Sequence, residues 1–219
     1  MTSLIKDHML IDPALQQEIM RRITVANVCS SQPVHTADPL GLIDMPGGRQ
    51  VFAYVRHAVD AVLLDDAGKV VLITRRNRPG IGLDALPGGF IDLKDQRAGI
   101  LEQPAEAALR EAREETGIGG DILAAARVRA VGTRACNRPF DIREAWADIP
   151  GTPIKQGDLF AVSTQAWCVR IKGDWSTIPM RAGDDASQVR AEEVAALRPE
   201  QFGVPDHLPM IRQAIALPF

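Results

Sequence analysis

Arg110-Glu111-Ala112-Arg113-Glu114-Glu115-Thr116-Gly117-Ile118 places three carboxylates within five positions, directly after a helix-prone run and directly before a glycine stop. At ~100° per residue, Glu111, Glu114 and Glu115 fall within an arc of roughly 100° on one helix face. Like charges so close repel and cost an ordinary surface helix stability. A divalent cation reverses that sign, because hard cations take several oxygen ligands and gain from their charge. The cluster by itself also fits a plain solvated face, with Glu106–Arg110 and Arg110–Glu114 paired at i,i+4. On these residues alone both readings stand.

The residues upstream narrow the choice. Ala85-Leu86-Pro87-Gly88-Gly89-Phe90-Ile91-Asp92 ends an apolar strand in a Pro-Gly-Gly turn, and Glu102 stands eight residues before Arg110. With these the chain resembles the Nudix hydrolases, whose box reads Gly, five residues, Glu, seven residues, then Arg-Glu-hydrophobic-x-Glu-Glu-x-Gly-hydrophobic. Glu102 to Ile118 follows the second half of that box position by position. Two features depart from it. Gly89 lies thirteen residues before Glu102 where the box has six, an insertion of seven within Leu93 to Leu101, and Ala112 is small where the box has a larger apolar residue.

The resemblance implies an α/β fold, the family's α/β/α sandwich around a mixed sheet, here with an N-terminal helical extension. It also implies hydrolysis of a nucleoside diphosphate linked to another moiety, with Mg²⁺ or Mn²⁺ as cofactor. Glu111 and Glu115, at i,i+4, match the family's first metal ligands, and Glu114 is a third. The family's box glycine lends its backbone carbonyl to the metal, which points to Gly89 or Gly88. The chemistry agrees: pyrophosphate oxygens repel an incoming hydroxide, and bridging cations neutralise them and acidify a bound water. Glycine lets backbone approach an ion without Cβ interference.

The remaining candidates carry softer roles. Arg110 reads as an orienter whose guanidinium pairs with Glu114. Glu102 reads as a helix-end or loop brace, with a place in the metal shell as the alternative. Relatives differ in their catalytic base, some using a box glutamate and others a later loop carboxylate. That leaves Glu144, Asp141 and Asp148 as candidates beside ordinary solvated-loop roles. Arg134, Arg138 and Arg143 offer planar paired donors for a diphosphate or a ribose phosphate, and Arg75, Arg76 and Arg78 form a second basic loop. For each the alternative is an exposed loop arginine. Trp146 or Phe140 either stacks on a base or packs. His57, on an apolar strand, reads as a satisfied core residue, and His207 as a helix-start cap.

At 219 residues, 46% hydrophobic and 24% charged, the chain can bury a full core. A net charge of −3 and a pI near 5.8 give no electrostatic argument for nucleic acid or an anionic membrane. Cys29, Cys136 and Cys168 are odd in number and lack a Cys-x-x-Cys pair, which suits a reducing cytoplasm and argues against structural zinc. Lys6, Asp7 and His8 stand where a signal peptide needs its apolar core, and no run reaches the ~20 apolar residues of a membrane span. The expectation is a cytoplasmic protein.

The chain divides into an extension, 1–50, and a hydrolase domain, 51–219. Residues 13–28 form a weakly amphipathic helix with Leu15, Ile19 and Ile23 as its apolar contacts, which a homodimer could use. Ser30 to Gly48 is polar and Pro/Gly-punctuated. Val51–Leu64, the turn Asp65–Gly68 and Lys69–Thr74 predict a β-hairpin. A helix is expected from Pro104 to Gly117, with Ala105, Ala108 and Ala112 as a small-residue face. Val128–Thr133 and Asp158–Ile171 are further strands, and Arg134–Gly157 between them is a long irregular segment. Val189–Leu197 alternates, and a helix closes the chain near Leu208–Leu217.

Gly183-Asp184-Asp185-Ala186 and Pro205-Asp206-His207 resemble the C-terminal region of ADP-ribose pyrophosphatase-like members, a likeness spanning residues ~58–217. That implies cleavage of ADP-ribose to AMP and ribose 5-phosphate. The proline marking that subgroup is displaced: its position falls near Arg134, and Pro139 is the nearest. The alternatives are hydrolysis of damaged nucleoside triphosphates or dinucleotides, and a sugar-nucleotide sensor on the same fold. The sensor would not need all three box glutamates and would usually carry a DNA-reading module.

Overall fold

The computed structural model describes residues 13–26, 35–77, 80–95, 97–134, 142–183 and 185–218, without the side chains of 24–26 and 134. The chain runs through α1 (Pro13–Ala26), β1 (Ala37–Asp44), β2 (Gln50–Leu64), β3 (Lys69–Arg75), β4 (Asp84–Ala85) and β5 (Gly88–Phe90). Then come β6 (Leu93–Asp95), β7 (Ile100–Leu101), α2 (Pro104–Thr116), α3 (Gly120–Ala124) and β8 (Arg127–Arg134). β9 (Ile142–Glu144), β10 (Leu159–Arg170), β11 (Ala186–Glu193) and α4 (His207–Ile215) follow. These elements form two compact units.

The first unit takes the described residues of Met1–Ala58, Phe90–Glu102 and Thr133–Thr164. Pro13 opens α1 without losing a helical hydrogen bond. Leu15, Ile19 and Ile23, at i, i+4 and i+8, form one stripe and are buried with Leu40, Ile43, Val51, Val55 and Leu159. These three side chains are therefore spent inside their own chain, and the expectation that they supply a dimer contact is corrected. β1 pairs antiparallel with the start of β2, although it falls in the stretch read as a punctuated loop. Asp38, Pro39 and Gly41 mask it in sequence. A register shift at Pro39/Gly41, with Gly41 at φ 89°, is how the strand accommodates them. The insertion in the box is a small ribbon, Leu93 opposite Leu101, whose turn is closed by Asp95 accepting from the N–H groups of Arg97 and Ala98. β9 pairs with β10 inside the segment read as irregular.

The second unit takes the described residues of Val59–Gly89, Gln103–Gly132 and Gln165–Phe219. Its strands stand in the order β11-β3-β2-β10-β8, with β4 on β3. The expected hairpin is present: Leu64 faces Val70 across a turn in which Gly68 sits at φ 87°. β11 runs antiparallel to β3, Val189 opposite Ile73, and starts earlier than the alternation suggested, at Ala186. Val194–Ala196 turns instead as a single 3₁₀ turn. A parallel bridge joins Asp84 to Phe202, which makes the pairing mixed. α4 buries Leu208, Met210, Ile211 and Ala214 among Val62, Leu64, Leu72, Leu86 and Cys168. Cys168 is thus the small buried residue expected; Cys29 and Cys136 lie outside the described residues.

α2 carries the acidic cluster. Pro104 follows the Gln103 cap, and Gly117, at φ 66°, ends the helix with its N–H donating to the Arg113 carbonyl. Its buried apolar face is Ala107, Ala108 and Ala112; Ala105, expected there, is half-buried. The last carbonyls of α2 meet the segment before β11: the Arg181 N–H donates to Thr116 O at 2.8 Å and the Gly183 N–H to Glu115 O at 3.0 Å. A methyl on Gly183 would overlap the Glu114 carbonyl and crowd the Glu115 Cα. Gly183→Ala is expected to cost about 1–3 kcal/mol, read as a lowered thermal midpoint; an unchanged midpoint would show that the helix end tolerates a shift.

Candidate active site

The turn and the helix meet through glycine. Pro87 O accepts from the Ala61 N–H at 2.7 Å, which seats the turn beside β2. The Gly88 N–H then donates to Glu115 Oε2 at 2.9 Å. A Cβ on Gly88 would overlap the Val59 carbonyl and Asp60, and one on Gly89 would fall on the Glu111 carboxylate. The Pro-Gly-Gly turn is thus required by close approach, because only residues without Cβ let the main chain lie against these carboxylates.

Glu115 is 7% exposed. Burial pushes its carboxyl up to about 8, against the pull of the Gly88 N–H and with the Glu111 charge adding to the rise. Glu111 is mostly enclosed, and Arg110 Nη1 donates both to Glu111 Oε1 at 2.7 Å and to Glu114 Oε2 at 3.0 Å. The expected Arg110–Glu114 pairing is therefore present, with Glu111 sharing it. Glu114 is the most open of the three, its side chain 56% exposed. Glu111, Glu115 and the Gly88-Gly89 backbone form one constellation whose oxygen donors suit a hard divalent cation. Among the described residues no three acidic, histidine or cysteine side chains are already gathered as a metal cluster.

Other candidates belong to the first unit, to other parts of the second, or fall outside the described residues. Glu102, nearly buried, belongs to the first unit, where its N–H closes the insertion ribbon on Asp92 O at 3.0 Å. Arg143 and Glu144 lie on β9 in that unit, and Glu144 meets Arg49 at 3.5 Å. Asp148 accepts from Lys155 and from the Gln156 N–H, which hold its carboxyl below the usual range. Trp146 is 67% exposed and packs little. Arg76 is exposed in the second unit, its N–H donating to Asp185 O at 3.0 Å. Arg78, Arg138, Phe140, Asp141 and the Arg134 side chain are outside the described residues.

His57 is the satisfied core residue expected, buried with Nε2 2.8 Å from Asp38. His207 is not a helix cap. Its Nδ1 accepts from the Leu86 N–H at 3.1 Å and its Nε2 faces Asp60 Oδ2 at 3.5 Å, so it anchors the residue that precedes the Pro-Gly-Gly turn. Sequence reasoning passed over Asp60. A carboxylate inside the apolar run Val51–Leu64 was the signal, since buried charges sit there only with partners.

Comparison with known proteins agrees with this geometry. The NUDIX domain family matches residues 55–212. The chain belongs to that family. An ADP-ribose pyrophosphatase of Methanocaldococcus jannaschii is 43% identical over 61 residues, 28% of this chain. The matched stretch spans only 31% of that relative's length. A bifunctional NMN adenylyltransferase/ADP ribose pyrophosphatase from Francisella tularensis is similar in fold, with TM-score 0.51 and 19% identity over 91% of this chain and 46% of that one. The same protein complexed with AMP and a Mn ion gives TM-score 0.50 and 19% identity, covering 92% of this chain and 47% of that one. The fold is thus the Nudix α/β fold, with α1 as its N-terminal helix. Among the described residues no helix is long and apolar enough to cross a membrane.

The Glu115 environment predicts a pH dependence. Its carboxyl is raised in the fold, so between the ordinary value of 4.5 and about 8 the unfolded chain has lost a proton that the folded chain keeps. Stability of the metal-free Nudix protein is therefore highest below that window and falls as pH rises through it. Glu115→Gln keeps an acceptor for the Gly88 N–H and removes the charge. Thermal midpoints from pH 5 to 8.5 should flatten in this variant; a slope equal to the wild type's would assign the dependence to another group.

Proposed function

We propose that this chain is a divalent-metal-dependent Nudix pyrophosphohydrolase that splits ADP-ribose, or a closely related nucleoside diphosphate derivative, into AMP and ribose 5-phosphate. The observation that carries the proposal is the buried Glu115 carboxylate, held on the Gly88 N–H beside Glu111 with, among the described residues, no cationic partner of comparable closeness. Supporting the substrate class are the 43% identical stretch in an ADP-ribose pyrophosphatase and the C-terminal likeness to that subgroup.

Mg²⁺ or Mn²⁺ would be held by Glu111, Glu115 and the main-chain oxygen at Gly89, with Glu114 serving a second ion or a bridging water. When bound, the ion neutralises the diphosphate and acidifies water. Arg110 keeps Glu111 and Glu114 in fixed orientation through one shared nitrogen. Glu114, the solvent-facing box carboxylate, is suited to pass a proton to bulk water. Glu144 is the later carboxylate of the first unit proposed as an alternative base, and Arg76 is a donor for the diphosphate. Residues 51–219 are assigned as the hydrolase domain, with 1–50 as an extension whose α1 shares a core with Val51 and Val55. A homodimer would need a face other than the α1 stripe; Leu42 and Phe52, cross-strand partners 47% and 48% exposed, offer one apolar pair.

The purified chain, given Mg²⁺ and separately ADP-ribose, NADH, diadenosine polyphosphates, sugar nucleotides or oxidised dNTPs, is expected to convert ADP-ribose to AMP and ribose 5-phosphate. Glu115→Gln should lower that turnover at least a hundredfold with an unchanged circular dichroism spectrum. Turnover of another panel member would reassign the pocket, and binding without turnover would favour the sensor.

A further inference from the structure

Arg56 occupies a costly position that the box does not explain. It lies on β2 in the first unit, half-buried, with its Cζ 3.5 Å above the centroid of the Phe90 ring. The strand bearing Phe90 is seated there by the Ile91 N–H donating to His57 O at 3.0 Å. Around that ring pack Tyr54, Ile154 and Phe160. The Arg56 Nε is enclosed and has no acceptor, and among the described residues no oxygen accepts from this guanidinium. Burial pushes its pKa down to about 10, with the Asp92 charge opposing and the Arg143 charge adding.

A guanidinium carries five N–H donors, all of which want an acceptor. The ring face returns only part of what withdrawing an unpaired ion from water costs. Arg143 makes the balance worse in the chain alone, because two like charges act on each other. If the position served only packing, an apolar side chain of similar length would serve it better. An incoming oxyanion offsets the cost of the buried charge. It accepts from the guanidinium N–H groups, and it finds the guanidinium plane already fixed by Phe90.

We propose that Arg56, stacked on Phe90, is an anion-binding residue that receives a phosphate group of a nucleotide or sugar phosphate. This rests on the first unit alone and does not depend on the metal reading of the box.

The test uses the full chain in EDTA and two readouts. Thermal unfolding without ligand compares the wild type with Arg56→Met, which keeps length and packing but removes the charge and the donors. Calorimetric titration then compares AMP, ribose 5-phosphate, inorganic phosphate and adenosine. Arg56→Met is expected to unfold at the same or a higher temperature, to bind AMP or ribose 5-phosphate at least tenfold more weakly, and to leave adenosine unaffected. Loss confined to AMP assigns the site to a nucleotide phosphate, and loss confined to ribose 5-phosphate to a sugar phosphate. Equal loss for inorganic phosphate assigns it to the bare phosphate group. Unchanged AMP and ribose 5-phosphate binding overturns the proposal, as does a wild type that binds none of the three phosphates. A midpoint several degrees lower with unaltered binding makes Arg56 a structural cation. Should Arg56→Met fail to fold, Arg56→Gln gives the same comparison with a polar planar group retained.

Discussion

One hydrogen bond, from the Gly88 N–H to Glu115 Oε2, ties the Pro-Gly-Gly turn to the acidic helix. Much of the second unit is arranged so that this bond can exist. Gly88 and Gly89 lack the Cβ atoms that would collide with Val59, Asp60 and Glu111. The turn is held from behind by Ala61 on Pro87 and by His207 on Leu86. The helix is held at its end by Gly117, Arg181 and Gly183. Small alanines at 107, 108 and 112 let α2 sit close to its neighbours, which also accounts for Ala112 where the family's box has a larger residue.

Two buried or half-buried charges carry the functional reading. Glu115 is enclosed with another carboxylate acting on it, and Arg56 rests on a ring with its donors unspent. By contrast Asp84, equally buried, is met by Arg190 at 2.5 Å and Asp38 by His57 at 2.8 Å. Each of these two carboxylates is met by a basic side chain. Local rules that fail at isolated points are expected at sites that complete themselves with a ligand. Glu115 and Arg56 differ in sign, the first suited to a cation and the second to an anion.

Much of this was legible in the sequence, and for stated reasons. The box helix announced itself through a proline start, a glycine stop and an i,i+4 acidic pair, all of which are local signals. The β2–β3 hairpin was equally local. β1 was hidden because its bulge spends Pro39 and Gly41, residues that ordinarily mark loops. β9 was hidden because three residues are too few for alternation to show. His207 was misread because its nearest neighbours suggested a helix start, whereas its bonding partner, Leu86, is remote in sequence and no spacing rule reports it. Arg56 was missed for a different reason. Its position is unusual only once Phe90 is placed beneath it and acceptors are seen to be lacking.

The central claim is that Glu111, Glu115 and the Gly89 main chain hold a divalent cation. Crystals of the chain soaked in Mn²⁺, with anomalous difference density collected near the manganese edge, address it directly. The account predicts a peak in contact with carboxylate oxygens of Glu111 and Glu115 and the Gly89 carbonyl, absent from Glu115→Gln crystals treated identically. A protein whose manganese peaks all lie away from this helix, or whose box peak survives loss of the Glu115 charge, would contradict it.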